Sequence, residues 1–207
     1  SGLRPFRGPG GMWNDIDVEA VLSAAAWAQH PDKVEGFLQE MREVAKRCDP
    51  TRAHLALAKA EQSRESGAQF DIVTQNIDGL HERAGSRRVH PIHGSLFFDR
   101  CEHCNKRVPI DSQKTCCDQR MHPDVVLFGE MLPVEVLSAT QTALAACECF
   151  VAIGTSGVVW PAAGLVQQAR RFGAHCINVN LEKSNNPAFH EELVGPCDDI
   201  VGDLFDL

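Results

Sequence analysis

The sequence predicts an α/β protein: a doubly wound parallel sheet with helices on both faces, a helical insertion and a small metal-binding module. Three observations carry this prediction. Three short runs, Asp71-Ile72-Val73-Thr74, Cys149-Phe150-Val151-Ala152-Ile153 and Cys176-Ile177-Asn178-Val179, have the character of buried parallel strands, and each ends in small or polar residues. Helix-like stretches such as 162–171 alternate with them, as the crossovers of such a sheet require. Between the first two strands, four of the nine cysteines crowd into 101–117, where no helical periodicity is present.

Taken in chain order, residues 1–13 hold four glycines and two prolines and predict an irregular loop. Residues 15–65 read as mostly helical: Val18, Val21, Leu22 and Ala25 recur at three and four. After a break at Pro31, so do Val34, Phe37, Leu38, Met41, Val44 and Ala45. A third helix is expected over 53–64. The strand at 71–74 follows, then a metal-clipped insertion over 99–124, then the strands 149–153 and 176–179 running into Gly154-Thr155-Ser156-Gly157 and Asn180-Leu181-Glu182.

The chain of 207 residues is long enough for one main core. With 43% apolar and 23% charged residues it has the composition of a folded protein. A net charge of −8 argues against broad attraction to nucleic acid or anionic membrane and suits basic peptide partners. The longest apolar runs fall far short of a bilayer span of about 20 residues. Clustered rather than paired cysteines predict metal over disulfides and a reducing cytoplasmic compartment, and a monomer is expected. The sequence opens on Ser1-Gly2-Leu3 without an initiator Met, so a preceding segment is expected.

Chemistry is expected at the strand ends, because α/β sheets bind ligands at their carboxyl edge. Gln75, Asn76 and Asp78 follow the first strand. Such residues also close turns on their own backbone, but three hydrogen-bonding side chains here coincide with a nucleotide-binding position. His93 stands beside Gly94, a residue that permits close approach, and imidazole titrates in the range of a general base. Gly154, Thr155 and Ser156 offer backbone donors and hydroxyls suited to phosphate or ribose, or equally a tight turn. Asn180 and Glu182 fit acceptors for ribose hydroxyls, and Glu182 fits a solvated surface acid as well. Cys101-x-x-Cys104 has the spacing of half a zinc site. Cys116-Cys117 would complete it, with His103 and His122 as substitutes.

The motifs Gly2-Leu3-Arg4-Pro5-Phe6-Arg7, Thr74-Gln75-Asn76-Ile77-Asp78-Gly79-Leu80-His81, His93-Gly94, Pro123 through Glu130, Gly154-Thr155-Ser156 and Asn180-Leu181-Glu182 together closely resemble the sirtuins, in order and spacing across the chain. The wording of 8–13 and 154–164 is most similar to the subgroup holding bacterial sirtuins and the mitochondrial desuccinylase. The resemblance implies one catalytic domain over 1–207: a Rossmann-like part at about 66–98 and 125–207, and a small module with a helical part at about 12–65 and a zinc-binding part at about 99–124. It implies NAD as cofactor, one structural zinc on Cys101, Cys104, Cys116 and Cys117, and an acyl-lysine protein or peptide in the cleft between the parts.

Carried over position by position, Phe6 and Arg7 match a cofactor loop, and Gln75, Asn76, Ile77 and Asp78 match the nicotinamide and ribose pocket. His93 and Asn76 match the catalytic residues, His93 as the general base. Gly154, Thr155, Ser156, Asn180, Leu181, Glu182 and Cys197 match further cofactor contacts. Val126, Phe128, Gly129 and Glu130 match the segment that pairs with substrate backbone. The implied activity is NAD-dependent deacylation of lysine, with release of nicotinamide and acyl-ADP-ribose.

Two departures stand out. The subgroup marks preference for acidic acyl chains with a Tyr and, three residues on, an Arg. Those positions here are Leu38 and Met41, which predicts acetyl or longer apolar acyl groups over succinyl, since a buried carboxylate without a partner is costly. Sirtuins also carry a strand and a Gly-Ala-Gly-Ile-Ser turn ahead of the point where Ser1-Gly2 begins. Without it the cofactor would be half-held and the 207 residues inactive or poorly stable. A protein mono-ADP-ribosyltransferase using the same pocket, and a zinc-stabilised binding module, are the competing readings.

Overall fold

A computed structural model describes residues 17–63, 68–155 and 164–205. Their contacts divide the chain into two units. One takes Asn76–Gly79 and Pro91–Pro133 together with the described part of Ser1–Asp49; the other takes the described parts of Pro50–Gln75, Leu80–His90 and Val134–Leu207.

The second unit holds the parallel sheet. Strands β8 (Cys149–Ile153), β9 (His175–Asn180) and β10 (Glu191–Val194) pair in parallel in the order β10-β9-β8. Helix α4 (Arg52–Ser63) and helix α8 (Cys197–Leu204) contribute Ala53, Leu57 and Val201 to a cluster that includes Ile72 and Ile153. On a separate cluster, α6 (Val134–Ala145) and α7 (Leu165–Arg171) supply Leu144, Leu165, Val166 and Ala169, packed with Val73, Phe150 and Cys176. Adjacent strand residues point to opposite faces, so Ile72 and Val73 join different clusters and helices cover both sides, as predicted. One detail is corrected. Strand β1 (Ile72–Thr74) is not hydrogen-bonded to β8; among the described residues it forms a two-stranded sheet with β2 (Val89–Pro91). Apolar character marks a strand as buried, but not its neighbour in the ladder.

In the first unit, the region read as two helices before residue 50 is three: α1 (Val18–Val21), α2 (Ala24–Gln29) and α3 (Pro31–Arg47). The extra break has a cause. Ser23 caps α2 by accepting the Ala26 N–H at 3.1 Å, while Leu22 and Ala24 lend their main chain to Phe128: Phe128 N–H donates to Leu22 O at 2.8 Å and Ala24 N–H to Phe128 O at 2.9 Å. Pro31 opens α3 at a first-turn position, where its missing N–H costs nothing. The buried stripe Val34, Leu38, Ala45 packs on Val18, Leu22, Ile77, Leu96, Val125 and Leu127.

The same unit contains an antiparallel sheet absent from the sequence-based prediction, β4-β3-β7, formed by β4 (Arg107–Pro109), β3 (Gly94–Arg100) and β7 (His122–Val125). Its register shifts between Gly94 and Asp99. The irregular stretch finds partners elsewhere: Leu96 N–H donates to Ile77 O at 2.9 Å, and Leu96 O accepts from Arg42 Nε at 2.6 Å. A short hairpin, β5 (Thr115–Cys116) to β6 (Gln119–Arg120), completes the unit.

Candidate active site

At the carboxyl ends of β1, β8 and β9 three predicted residues form one bonded set in the second unit. Gln75 Nε2 donates to Thr155 Oγ1 at 3.2 Å, and Asn180 Nδ2 donates to Thr155 O at 2.8 Å. Gly154 N–H donates to Val179 O at 2.9 Å, and the glycine turns left-handed (φ +62°), with nothing among the described residues within 4 Å of where a Cβ would sit. A turn that needs positive φ favours glycine. Leu181 and Glu182 follow at the surface, Leu181 with its N–H bonded to Asn180 Oδ1 at 2.9 Å. Cys197 begins α8, and burial pushes its thiol up. Ser156, Phe6 and Arg7 lie outside the described residues.

In the first unit, Asn76 is exposed, Asp78 half-buried and Ile77 buried. The Leu96 to Ile77 bond lays this segment along β3, next to His93. Gly94 fixes the main chain beside His93. Its φ is +79°, and a Cβ there would lie 1.9 Å from Asp124 O. Just ahead, His93 O accepts the Val126 N–H at 3.0 Å. No residue but glycine allows β3 and β7 to approach so closely, so His93 is held at the end of a strand by main-chain contacts on both sides.

The segment expected to pair with substrate is partly committed already. The main chain of Phe128 bonds Leu22 and Ala24, and the Val126 N–H donates to His93 O, while the Phe128 side chain is exposed. The Glu130 carboxylate turns inward: it lies 2.9 Å from His122 Nε2 and 3.4 Å from Arg100, and accepts the Leu127 N–H at 3.1 Å. Burial pushes this carboxyl up, but the neighbouring His122, the Leu127 N–H and Arg100 outweigh it and hold it below the usual carboxylate range. Gly129 stays exposed. Leu38 is fully buried in the core and Met41 packs against it.

The four cysteines Cys101, Cys104, Cys116 and Cys117 place their sulfurs within 4.8 Å of one another. Tetrahedral zinc with Zn–S of about 2.3 Å requires sulfurs about 3.8 Å apart. The pairs Cys104–Cys116 and Cys116–Cys117 measure 3.7 and 3.9 Å. Adjacent cysteines can share a site because Cys117 and Asp118 form the two-residue loop of the β5–β6 hairpin with φ of +52° and +59°. Neither substitute histidine is needed: His122 is fully buried and its Nδ1 faces Pro123 O at 2.6 Å. The Cys101 thiol is drawn down to about 6, chiefly by the backbone N–H of Cys104, against its burial, so one ligand is readied as thiolate.

Sequence reasoning missed the buried Arg42. Its guanidinium bonds Leu96 O and, at 2.6 Å, Glu35. A basic residue within an apolar helical stripe was the available signal.

The parallel sheet with its bonded polar edge, the strand-end histidine and a cysteine cluster that could hold a metal ion are features of the α/β enzyme class. The chain matches the Sir2 family over residues 1–161 and belongs to it. It is 39% identical to a Salmonella typhimurium protein named NAD-dependent protein deacylase, covering 100% of this chain and 78% of the relative. A Shewanella oneidensis protein of the same name is 41% identical, with coverage of 100% and 88%. Among solved structures, a Sir2 homologue in complex with NAD superposes with a TM-score of 0.86 at 34% identity, over 100% of this chain and 83% of that one. A Sir2 protein bound to a propionylated peptide gives 0.78 at 27%, over 93% and 85%. No helix among the described residues is long and apolar enough to cross a membrane.

Proposed function

We propose that the protein is an NAD-dependent protein lysine deacylase. The observation that carries this reading is the bonded set Gln75–Thr155–Asn180 at the carboxyl edge of the second unit, the position where α/β sheets take nucleotides. NAD would supply a nicotinamide–ribose bond whose cleavage leaves an electrophilic carbon for the acyl oxygen. Gly154, Thr155 and Ser156, with Asn180, Leu181, Glu182 and Cys197, would hold the nucleotide. Gln75, Asn76, Ile77 and Asp78 would bind the nicotinamide end, and Phe6 and Arg7 would cover it. His93, pinned by Gly94, would take the proton from a ribose hydroxyl. With one water taken up at the acyl carbon as its bond to lysine nitrogen breaks, free lysine, nicotinamide and O-acyl-ADP-ribose would leave.

The peptide would lie along Val126, Phe128, Gly129 and Glu130. Leu38 and Met41 present no cation to a dicarboxylic acyl chain, and the nearby Arg42 gives its Nε to Leu96 and its Nη1 to Glu35, with Nη2 buried and without a hydrogen-bond partner among the described residues. This supports a preference for acetyl or longer apolar acyl groups. Zinc would be held by the four cysteines as a structural ion. We read the whole as one catalytic domain with a nucleotide-binding part and a small module. The test is to incubate protein, NAD and acetyl-, myristoyl- or succinyl-lysine peptides and follow nicotinamide and product mass. Acyl-ADP-ribose from the first two is expected. ADP-ribose attached to protein instead would overturn the assignment in favour of a transferase, and faster turnover of succinyl peptide would overturn the acyl preference.

A further inference from the structure

Charges of alternating sign run from the antiparallel sheet to helix α3. Asp99 on β3 has a side chain only 3% exposed, and Lys114 Nζ lies 2.8 Å from its Oδ2. Lys114 Nζ lies 3.9 Å from Glu35 Oε1, which pairs with the buried Arg42 at 2.6 Å. Arg42 then bonds Leu96 O, back on β3. Lys114 itself is more than half exposed, so what fixes it is its place in the chain. It stands two residues before Cys116, and its carbonyl accepts the Met121 N–H at 2.9 Å across the hairpin that carries Cys116 and Cys117. A second tie runs in parallel: Arg120 on β6 pairs with Asp32 of α3 at 2.7 Å.

Glu35, Leu38 and Arg42 recur at three and four on α3, so Leu38 lies on the same face, between the two ends of its ion pair, and Met41 lies one residue from Arg42. Removing Lys114 would leave Asp99 buried without its cation and Glu35 to Arg42 alone, an arrangement that buried charges resist. The helix face would then resettle against β3.

We propose that Lys114 is a positioning residue: carried by the metal-binding hairpin, it sets the placement of α3 and of Leu38 and Met41, so that metal occupancy shapes the acyl-binding surface. The acyl role of Leu38 and Met41 rests on the deacylase reading; the coupling between hairpin and helix does not.

The experiment labels methionine methyl groups with carbon-13 in the full chain loaded with zinc, assigns Met41 through Met41→Leu, and compares Lys114→Leu, Lys114→Arg and the metal-stripped protein. Expected are unchanged zinc content in Lys114→Leu, a displaced Met41 resonance in that variant and on metal removal, recovery in Lys114→Arg, and an unmoved signal from the exposed Met131. In the peptide assay, KM for the acyl-lysine substrate rises about tenfold, the equivalent of one decade in binding, while KM for NAD holds. A Met41 resonance that stays in place in Lys114→Leu and after chelation overturns the proposal. Absence of deacylation in the parent protein would refute the proposed function alone, since the Met41 signal still decides the coupling.

Discussion

Replacing Gly94 by alanine tests the claim that glycine pins the strand bearing His93. The new Cβ meets Asp124 O at 1.9 Å and its carbonyl carbon at 2.8 Å, both main chain and neither able to swing aside. A left-handed alanine costs about 1–2 kcal/mol on its own. Parting β3 from β7 adds the loss of the Val126 to His93 bond, about 1 kcal/mol. Stiffening of the unfolded chain returns about 0.4–1 kcal/mol. The net is about 2 kcal/mol or somewhat more, which for a urea slope of about 2 kcal/mol/M lowers the midpoint by about 1 M. Gly36→Ala is the matched control: this helical glycine is exposed with nothing within 4 Å of its would-be Cβ, so alanine should raise stability by about 0.5–1 kcal/mol. Urea titration followed by circular dichroism reads both. A Gly94→Ala protein within about 0.5 kcal/mol of the parent, the usual range for inert surface changes, would refute the reasoning. At saturating substrate the same variant should lose about 100-fold in kcat, as a displacement of about 1 Å at a reacting group does.

Stability should fall on mild acidification. His81 is largely buried against His54, with ring centroids 4.6 Å apart, and burial first, then the charge of His54, lowers its pKa from the ordinary 6.5 to about 4. The folded protein therefore binds this proton more weakly than the unfolded chain. Stability is lost as pH drops from 6.5 toward 4, by up to about 3 kcal/mol, and is complete above that window. His81→Gln should flatten the limb in thermal melts across that range; an unchanged slope would exclude His81 as its source. Cys101→Ser should abolish retention of zinc, measured by elemental analysis as metal per chain, and cost several kcal/mol of stability. Glu130→Gln should weaken the hold on His122 and raise KM for peptide more than KM for NAD, read from initial rates.

What was legible in the sequence was whatever one segment determines by itself. The buried strands 149–153 and 176–179, the left-handed turn after β8 and the first cysteine pair all declare themselves within a few residues. The sheet β4-β3-β7 did not, because Gly94–Arg100 has no clean alternation: its register shift breaks the period of two and passes its backbone bonds to Ile77 and Arg42. The second cysteine pair was equally opaque, since its competence as a ligand pair comes from two left-handed residues in a hairpin loop, not from a spacing rule. The ion pairs of Arg42, Glu35 and Lys114 join positions up to 79 residues apart in sequence, from 35 to 114, and no local pattern announces them.

The interruption between α1 and α2 carries a further implication for how this segment can vary. The two hydrogen bonds that join Phe128 to Leu22 and Ala24 belong to the main chain, so they do not depend on residue type, although the core still requires an apolar side chain at Leu22. They do depend on length. One residue inserted or removed on either side would slide donor past acceptor and leave the Phe128 N–H and C=O facing the wrong partners. The joint is thus intolerant of indels. Across homologues, it should appear as a stretch of constant spacing in which position 22 stays apolar.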